Sequence, residues 1–165
     1  GRAHGRLSAF SVGFLSQSVL EAFVKRHPCV VNDVNEVIIG NAVSAGTGQN
    51  FVRKALIEAG FPDTTPGYSV GNVCASGLQA VISGCHSIAS GEAHMIVSAG
   101  AESVSHIPKY IFKKDQEIKE IKGLTEGLMH DGLLCSVTGR WMGSLCEDMA
   151  KKERISKKED RKSVV

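Results

Sequence analysis

One cysteine of this chain lies where its thiol could act as a nucleophile. Cys74 follows a short apolar stretch and precedes Ala75, Ser76 and Gly77, the small residues that begin a predicted helix. The first turn of a helix has unpaired backbone N–H groups and a positive potential, which favour a thiolate and would stabilise developing negative charge. A thiolate is the form of cysteine that attacks carbonyl carbon. Position alone leaves a second interpretation open, in which Cys74 is a small buried residue under a tight turn.

Length and composition are those of one α/β domain. The chain has 165 residues, 18 glycines and 5% aromatic residues, which is typical of short strands and helices joined by tight turns. The formal net charge is +2, so the total charge favours neither nucleic acid nor a membrane surface as a partner. No apolar stretch is long enough to span a bilayer. We therefore expect a partner that is neither nucleic acid nor membrane.

The cysteine pattern argues against both a disulfide framework and a metal site. The count is odd and no Cys-x-x-Cys pair occurs, so neither paired bridges nor a zinc module is indicated. Such a pattern is typical of a reducing compartment. The five residues are Cys29, Cys74, Cys85, Cys135 and Cys146.

Hydrophobic periodicity predicts helices and strands that alternate along the first two thirds of the chain. The predicted helices are Ser8–His27, Phe51–Ala59 and Ala75–Ser90. The predicted strands are Val34–Asn41, Thr65–Val73 and Ala93–Ala99. This alternation predicts a mostly parallel sheet flanked by helices, in which sites lie at the carboxyl ends of the strands. Cys74 follows such a strand end, which favours the nucleophile interpretation.

The predicted helix after Cys74 has an apolar stripe at helical spacing, formed by Leu78, Val81, Ile82, Cys85 and Ile88. We predict that Cys85 belongs to the core. His86 points about 100° away from Cys85 and is predicted to lie at the surface, so the two do not form a metal pair.

A glycine-containing loop between the first predicted strand and the second predicted helix raises the question of nucleotide binding. A dinucleotide fingerprint that uses Gly46 and Gly48 requires a third glycine where Phe51 stands, and no Gly-Lys-Ser/Thr of a P-loop is present. The loop is therefore interpreted as a crossover turn.

The pattern changes after Pro108. Residues 113–122 are highly charged, and Asp131–Gly143 is glycine-spaced and predicted to be irregular. A helix is predicted for Ser144–Lys152, and Ser156 with Glu159 forms a capping-box pattern for a last helix. This part is interpreted as an inserted loop region.

Several of these segments resemble thiolases, the acetyl-CoA C-acetyltransferase and 3-ketoacyl-CoA thiolase family. Asn72–Leu78 (Asn-Val-Cys-Ala-Ser-Gly-Leu) resembles the family's nucleophile motif, and Gly46–Asn50 resembles its Gly-x-Gly-Gln-Asn loop. Further matching segments are Asp33–Asn41, Gly100–Ser105, Asp131–Leu133, Met142–Gly143 and Glu147–Ala150. The match runs from about Leu15 to Asp160.

The resemblance implies a thiolase-like layered α/β fold, with residues 1–110 as a partial N-terminal domain and 111–165 as the beginning of the loop domain that covers coenzyme A. It implies reversible condensation of two acetyl-CoA molecules to acetoacetyl-CoA and CoA through an acyl-enzyme on Cys74. By the same resemblance Leu133, Trp141 and Met142 line the CoA channel. Trp141 stands where many biosynthetic members have histidine.

Coenzyme A is expected only as part of the substrate, without a separate cofactor or metal. The resemblance implies assembly as a homodimer or homotetramer, in which subunits associate partly through the strand before Cys74. The expected location is the mitochondrion or the cytoplasm, with the peroxisome as an alternative.

The chain departs from the family pattern in three motifs. Gly-His-Pro, Cys-x-Gly and Asn-Glu-Ala-Phe, which carry the base, the second cysteine and an asparagine, do not occur in it. Residues 2–7 also fail to match the family's first strand, so we expect that strand to be missing and two strands to have unpaired edges.

We therefore expect a truncated thiolase that is catalytically incomplete as an isolated chain. Two alternatives stay open. The first is a non-catalytic chain that keeps CoA binding or subunit association, and the second is a β-ketoacyl synthase-like enzyme, whose Ala-Cys-Ser-Ser pattern fits Cys74–Gly77 poorly.

Overall fold

Three parallel strands organise the first part of the chain in the computed structural model, which describes residues 5–111 and 124–162. They are β1 (Glu36–Gly40), β2 (Gly67–Val70) and β3 (Ile96–Gly100), in the order β2-β1-β3. β1 pairs with β2 from Val37 opposite Gly67 and with β3 from Glu36 opposite Ile96. The predicted parallel sheet is confirmed. β1 has a partner on both sides, so the described sheet has no unpaired edge beside the place of a missing strand. Its unpaired edges are the outer edges of β2 and β3.

Helices cover both faces of the sheet. α1 (Val12–Arg26) and α2 (Phe51–Glu58) lie on one face, and α3 (Ser76–Ala89) lies on the other. The side chains of Ser11 and Asn50 accept hydrogen bonds from backbone N–H groups in the first turns of α1 and α2, as good N-caps do. These three helices begin within four residues of their predicted starts, and α1 and α2 end within one residue of their predicted ends.

The main core lies between the sheet and the α1–α2 face. Val37 and Ile39 point into it, whereas Ile38 between them is equally buried on the α3 side, as the period of two in a strand requires. The helices and the loop after α2 contribute Val12, Leu20, Phe51, Val52, Ala55, Leu56, Ala59 and Phe61. A sheet buried on both faces explains why β1 is apolar along its whole length.

The α3 face of the sheet is packed with small residues. The buried positions of α3 are Ser76, Ala80 and Gly84, and a Cβ on Gly84 would lie 2.8 Å from the Ser98 Oγ. The prediction that Cys85 belongs to the core is therefore wrong, since Cys85 is exposed one position away from the buried stripe. The apolar stripe of this helix is also turned outward, with Leu78, Val81, Ile82 and Ile88 exposed.

The chain divides into two compact units, Gly1–Lys109 and Tyr110–Val165, which we call the sheet unit and the C-terminal unit. Short strands β4 (Lys109–Tyr110) and β5 (Thr125–Glu126) form a small two-stranded sheet. The C-terminal unit then has a π-helical turn at Leu128–Leu133, α4 (Met142–Lys152) and α5 (Lys157–Lys162).

Local interactions define the C-terminal unit. The predicted capping box before α5 is confirmed, because the Ser156 N–H donates to the Glu159 carboxylate and the Glu159 N–H donates to the Ser156 Oγ. The predicted irregular stretch 131–143 is partly wrong, because it includes the end of the π-helical turn, an antiparallel bridge between Leu134 and Trp141, and the start of α4. The charged stretch 113–122 lies outside the described residues.

Burial differs sharply between the two units. Among the described residues of the C-terminal unit, no hydrophobic side chain is buried. In the described part of the whole chain, no helix has the length and apolar character needed to cross a membrane.

Candidate active site

Cys74 lies in the turn between β2 and α3. The chain leaves β2 at Val70, forms a 3₁₀ turn at Val73–Ala75 and enters α3 at Ser76. The thiol is exposed, so the interpretation of Cys74 as a buried packing residue is wrong. The Cys74 N–H has no acceptor among the described residues, which leaves a backbone donor at the turn that carries the thiol.

The residue before Cys74 has an unusual backbone. Val73 has a φ of +45°, in the left-handed region that a β-branched residue rarely adopts. Such a conformation costs energy and persists only where the surrounding contacts enforce it. The turn that presents Cys74 is therefore strained.

The Ser76 hydroxyl closes this turn. It accepts a hydrogen bond from the Asn72 N–H at 2.9 Å and donates one to the Val73 carbonyl at 2.6 Å. The Ala75 N–H also donates to the Asn72 carbonyl at 2.9 Å. Ser76 is only 3% exposed, so these bonds do not compete with bulk water.

Glycines let the start of α3 sit directly on the sheet. A Cβ added at Gly40, the last residue of β1, would lie 2.3 Å from the Ser76 backbone carbonyl atoms and 2.5 Å from the Gly77 nitrogen. A Cβ at Gly100, the last residue of β3, would lie 3.5 Å from the Gly77 Cα. The helix that follows the Cys74 turn is thus held against the ends of two strands.

A carboxylate joins the ends of β1 and β3. Glu102 accepts hydrogen bonds from the Asn41 side-chain amide at 3.0 Å and from the N–H groups of Ala42 and Val43 at 2.8 and 3.1 Å. The Asn41 amide also donates to the Ala101 carbonyl at 3.0 Å. Asn41 is 2% exposed, and its Oδ1 is buried with no hydrogen-bond partner among the described residues. These contacts fix the loop that leaves β1 beside the β2 exit.

No described histidine is placed as a base for Cys74. His27, His86, His94, His106 and His130 are all exposed, and none is hydrogen-bonded to Cys74. The described residues also contain no group of three or more His, Cys, Asp or Glu side chains that could hold a metal. The prediction that His86 lies at the surface is confirmed.

The other predicted site residues lie in the C-terminal unit. Leu133 is the last residue of the π-helical turn, Trp141 precedes α4, and Met142 is its first residue. The bridge between Leu134 and Trp141 brings the neighbours of Leu133 and Met142 together, and all three predicted side chains are exposed. They form one local group, whereas Cys74 belongs to the sheet unit.

Sequence reasoning missed a hydrogen-bonded group in the C-terminal unit. The Tyr110 hydroxyl donates to one Asp131 carboxylate oxygen, and His130 Nδ1 contacts the other, both at 2.6 Å. These two bonds lower the pKa of Asp131, with Tyr110 as the larger cause. The bond to Asp131 in turn raises the pKa of Tyr110. The separation of 21 residues between Tyr110 and Asp131 leaves no local sequence signal for this group.

One cavity among the described residues is lined by other elements than the Cys74 turn. It has a volume of about 640 Å³ and lies between α1, α2 and the loop 46–50. Arg53 borders it, but its guanidinium donates to the backbone carbonyls of Thr65, at 2.7 Å, and Asp63. The cavity contains none of the predicted site residues.

Comparison with known proteins gives a consistent result. The family model for the N-terminal domain of thiolase matches residues 1–163. The acetyl-CoA acetyltransferase of Escherichia coli K12 is 34% identical over 162 residues, and the cytosolic acetyl-CoA acetyltransferase of Rattus norvegicus is 33% identical over 167 residues. These matches cover 95% and 100% of this chain and 40% and 42% of the relatives.

A solved structure agrees with the sequence relatives. The Acat5 thiolase of Ascaris suum, solved in complex with coenzyme A, has a TM-score of 0.84 and 29% sequence identity to this chain. The match covers 93% of this chain and 40% of that one. Because the family model spans nearly the whole chain and the fold agrees, the chain belongs to the thiolase family.

Proposed function

We propose that this chain supplies the acyl-accepting nucleophile of an acetyl-CoA acetyltransferase, and that Cys74 is that nucleophile. The observation that carries the proposal is the exposed thiol of Cys74 on a strained turn at the start of α3, within Asn72–Leu78. The names of the relatives support acetyl-CoA as the substrate.

Acylation of Cys74 is the step to which the described residues contribute. The Cys74 thiolate attacks the thioester carbonyl carbon of acetyl-CoA, a new C–S bond forms, and CoA leaves as its thiolate when the tetrahedral intermediate collapses. The Cys74 N–H has no acceptor among the described residues, which leaves it available to the oxyanion of that intermediate. The product is an acetyl thioester on Cys74.

Condensation then joins the acetyl group to a second acetyl-CoA. Loss of a proton from its methyl carbon gives a carbanion, which attacks the Cys74 thioester and releases acetoacetyl-CoA and the Cys74 thiolate. A positioned base is typically worth 10²–10⁴-fold in rate. The resemblance assigns the base that activates the nucleophile to a Gly-His-Pro motif and the acid/base of the condensation to a Cys-x-Gly motif, and the 165 residues contain neither. Because both groups are missing, we propose that this chain by itself accepts an acetyl group on Cys74 only slowly and does not turn over.

Leu133, Trp141 and Met142 are proposed to line the coenzyme A channel. The local group that they form in the C-terminal unit supports this, as does the CoA complex of the Ascaris thiolase. In this proposal residues 1–110 are part of the N-terminal thiolase domain and 111–165 begin its loop domain.

The remaining assignments follow from the same proposal. The protein uses coenzyme A only as part of its substrate, without a separate cofactor or metal, and it assembles as a homodimer or homotetramer. Its location is the cytoplasm or the mitochondrion, with the peroxisome as the alternative. The cytosolic names of the rat and mouse relatives support the first of these.

A second candidate function is non-catalytic association with another polypeptide. The outward apolar side chains of α3 and the unpaired outer edge of β2 favour it. The β-ketoacyl synthase alternative has no observation in its favour.

Acetylation of the intact chain separates these candidates. After incubation with acetyl-CoA, digestion and mass spectrometry locate any acetyl group on the five cysteines. We expect it on Cys74, lost in Cys74→Ala and retained in Cys85→Ser, which removes a neighbouring exposed thiol of α3. Equal acetylation of Cys29, Cys85 and Cys146, or none at Cys74, would contradict the proposed function.

A further inference from the structure

The conformation of Val73 needs a contact that enforces it. Its φ of +45° is unfavourable for a β-branched side chain, and Val73 is itself half exposed, so core packing does not hold it there. The neighbouring glycine, Gly71, does not carry the left-handed conformation, although glycine would adopt it at little cost. The strain therefore falls on the residue next to Cys74.

Ser76 provides the contact. Its hydroxyl donates to the Val73 carbonyl at 2.6 Å and accepts from the Asn72 N–H at 2.9 Å, so it binds backbone groups of two consecutive residues. These groups flank the strained dihedral of Val73. A rotation of Val73 toward an extended conformation would break this pair of bonds.

Ser76 is itself fixed by the sheet. Its backbone lies so close to Gly40 that a Cβ on Gly40 would come within 2.3 Å of it. The Gly40 carbonyl in turn accepts from the Ala101 N–H at 3.0 Å, at the exit of β3. The hydroxyl of Ser76 thus connects the fixed ends of β1 and β3 to the turn that carries Cys74.

We propose that Ser76 is a positioning residue, whose hydroxyl holds Val73 in the left-handed conformation and thereby sets the Cys74 thiol and N–H for acyl transfer. Ser76 contacts the backbone of the turn and takes no part in proton transfer. The catalytic consequence rests on the proposed function of Cys74, whereas the conformational consequence is independent of it.

The test compares Ser76→Ala with Ser16→Ala in the full 165-residue chain. Ser16 is a matched control, because it is also 3% exposed and its hydroxyl donates to a backbone carbonyl, that of Val12, at 2.8 Å. NMR secondary chemical shifts of Val73 report its backbone conformation without any substrate. We expect the left-handed signature to be lost in Ser76→Ala and kept in Ser16→Ala.

The second readout is the rate of Cys74 acetylation by acetyl-CoA, divided by the rate of its alkylation by iodoacetamide in the same preparation. The rate of a reaction between positioned groups falls steeply when one of them is misplaced. The ratio is therefore expected to fall about tenfold or more in Ser76→Ala and to change less than about twofold in Ser16→Ala. General loosening of the fold would instead lower the ratio in Ser16→Ala as well, and equal losses in the two variants would overturn the proposal.

A double-mutant cycle keeps the test valid if Ser76→Ala is poorly folded. Val73→Gly removes the steric penalty of a positive φ at position 73. In that background Ser76→Ala is expected to lower the ratio of acetylation to alkylation by less than about threefold. An unchanged Val73 signature in Ser76→Ala, or equal losses with and without Val73→Gly, would overturn the proposal. If wild-type Cys74 is not acetylated while the Val73 signature still depends on Ser76, the proposed function fails and the conformational role of Ser76 stands.

Discussion

The sheet unit and the C-terminal unit are held together by different kinds of interaction. The sheet unit has a continuous core around β1, and hydrogen bonds such as those of Glu102 join residues about 60 positions apart. Most polar contacts in the C-terminal unit join near neighbours in the chain, as in the capping box at Ser156 and the pair formed by Arg140 and Asp148. None of its described hydrophobic side chains is buried, and Val137 is 91% exposed.

This difference matters for the proposed chemistry. The turn Val73–Ala75, which carries Cys74, is positioned by long-range contacts, so its geometry depends on the folding of the whole sheet unit. The proposed CoA-contact residues are positioned by local contacts within the C-terminal unit. Equivalent substitutions in the two units should therefore lower the free energy of unfolding by different amounts.

The largest expected contrast comes from truncating one apolar side chain in each unit. Leu56→Ala leaves a cavity in the core and should lower the free energy of unfolding by about 3 kcal/mol. Met149→Ala, at an exposed position of α4, should change it by less than about 0.5 kcal/mol.

Urea denaturation followed by far-UV circular dichroism and by fluorescence measures this contrast. Trp141 is the single tryptophan of the chain and reports the C-terminal unit. Equal losses for the two variants would show that Met149 is buried in solution and would remove the contrast.

The next effect tests the close approach of α3 to β1. Gly40→Ala places a Cβ against the backbone of Ser76 and should cost about 2 to 3 kcal/mol, because backbone atoms cannot move aside as a flexible side chain does. Gly13→Ala is the control, since a Cβ there meets atoms only at 3.8 Å or more and alanine favours the helix. Thermal unfolding should separate the two variants, and a tolerated Gly40→Ala would contradict the tight contact.

A somewhat smaller effect is expected at the carboxylate that joins the strand ends. Glu102→Gln replaces one acceptor oxygen with an NH₂ group that faces the N–H groups of Ala42 and Val43, and it should cost about 2 kcal/mol. Glu92→Gln at an exposed turn is the matched control. If chemical denaturation gives the same free energy of unfolding for both variants, the hydrogen bonds of Glu102 do not stabilise the protein.

Much of the fold can be predicted from sequence because its signals are local. The apolar β1 and the capping box at Ser156 each depend on neighbouring residues, and both appear where their patterns indicate. The position of Cys74 at the start of a helix is predictable for the same reason.

The orientation of α3 is not predictable in this way. Its apolar stripe suggests the wrong buried face, because α3 approaches the sheet closely at Ser76, beside Gly40, and at Gly84, beside Ser98, so that its buried positions are the small residues Ser76, Ala80 and Gly84. A contact between residues that are distant in the chain has no local sequence pattern, so it cannot be predicted from one sequence. The contacts of Glu102 and of the Ser76 backbone with the strand ends are of this kind, because they join residues that are far apart in the sequence.

The smallest effect concerns the Tyr110–Asp131 bond, which holds a local contact in the exposed C-terminal unit. Because folding lowers the pKa of Asp131, this stabilisation is present above the unfolded value of about 3.9 and is lost as the pH falls through the lower folded value. Because folding raises the pKa of Tyr110, its part is present below about pH 10 and is lost as the pH rises through the higher folded value.

Tyrosine absorbance as a function of pH tests the bond directly, and solvent exposure of the pair keeps its stabilising effect small. Burial also raises the pKa of Tyr68, the other tyrosine, so Tyr110→Phe is the necessary control and leaves only that titration. The difference between wild type and Tyr110→Phe should titrate above the ordinary tyrosine pKa, and Asp131→Asn should bring it back down. A difference curve centred at the ordinary value would mean that Tyr110 and Asp131 are not bonded in solution, and the described part of the C-terminal unit would then lose a side-chain hydrogen bond that joins residues 21 positions apart.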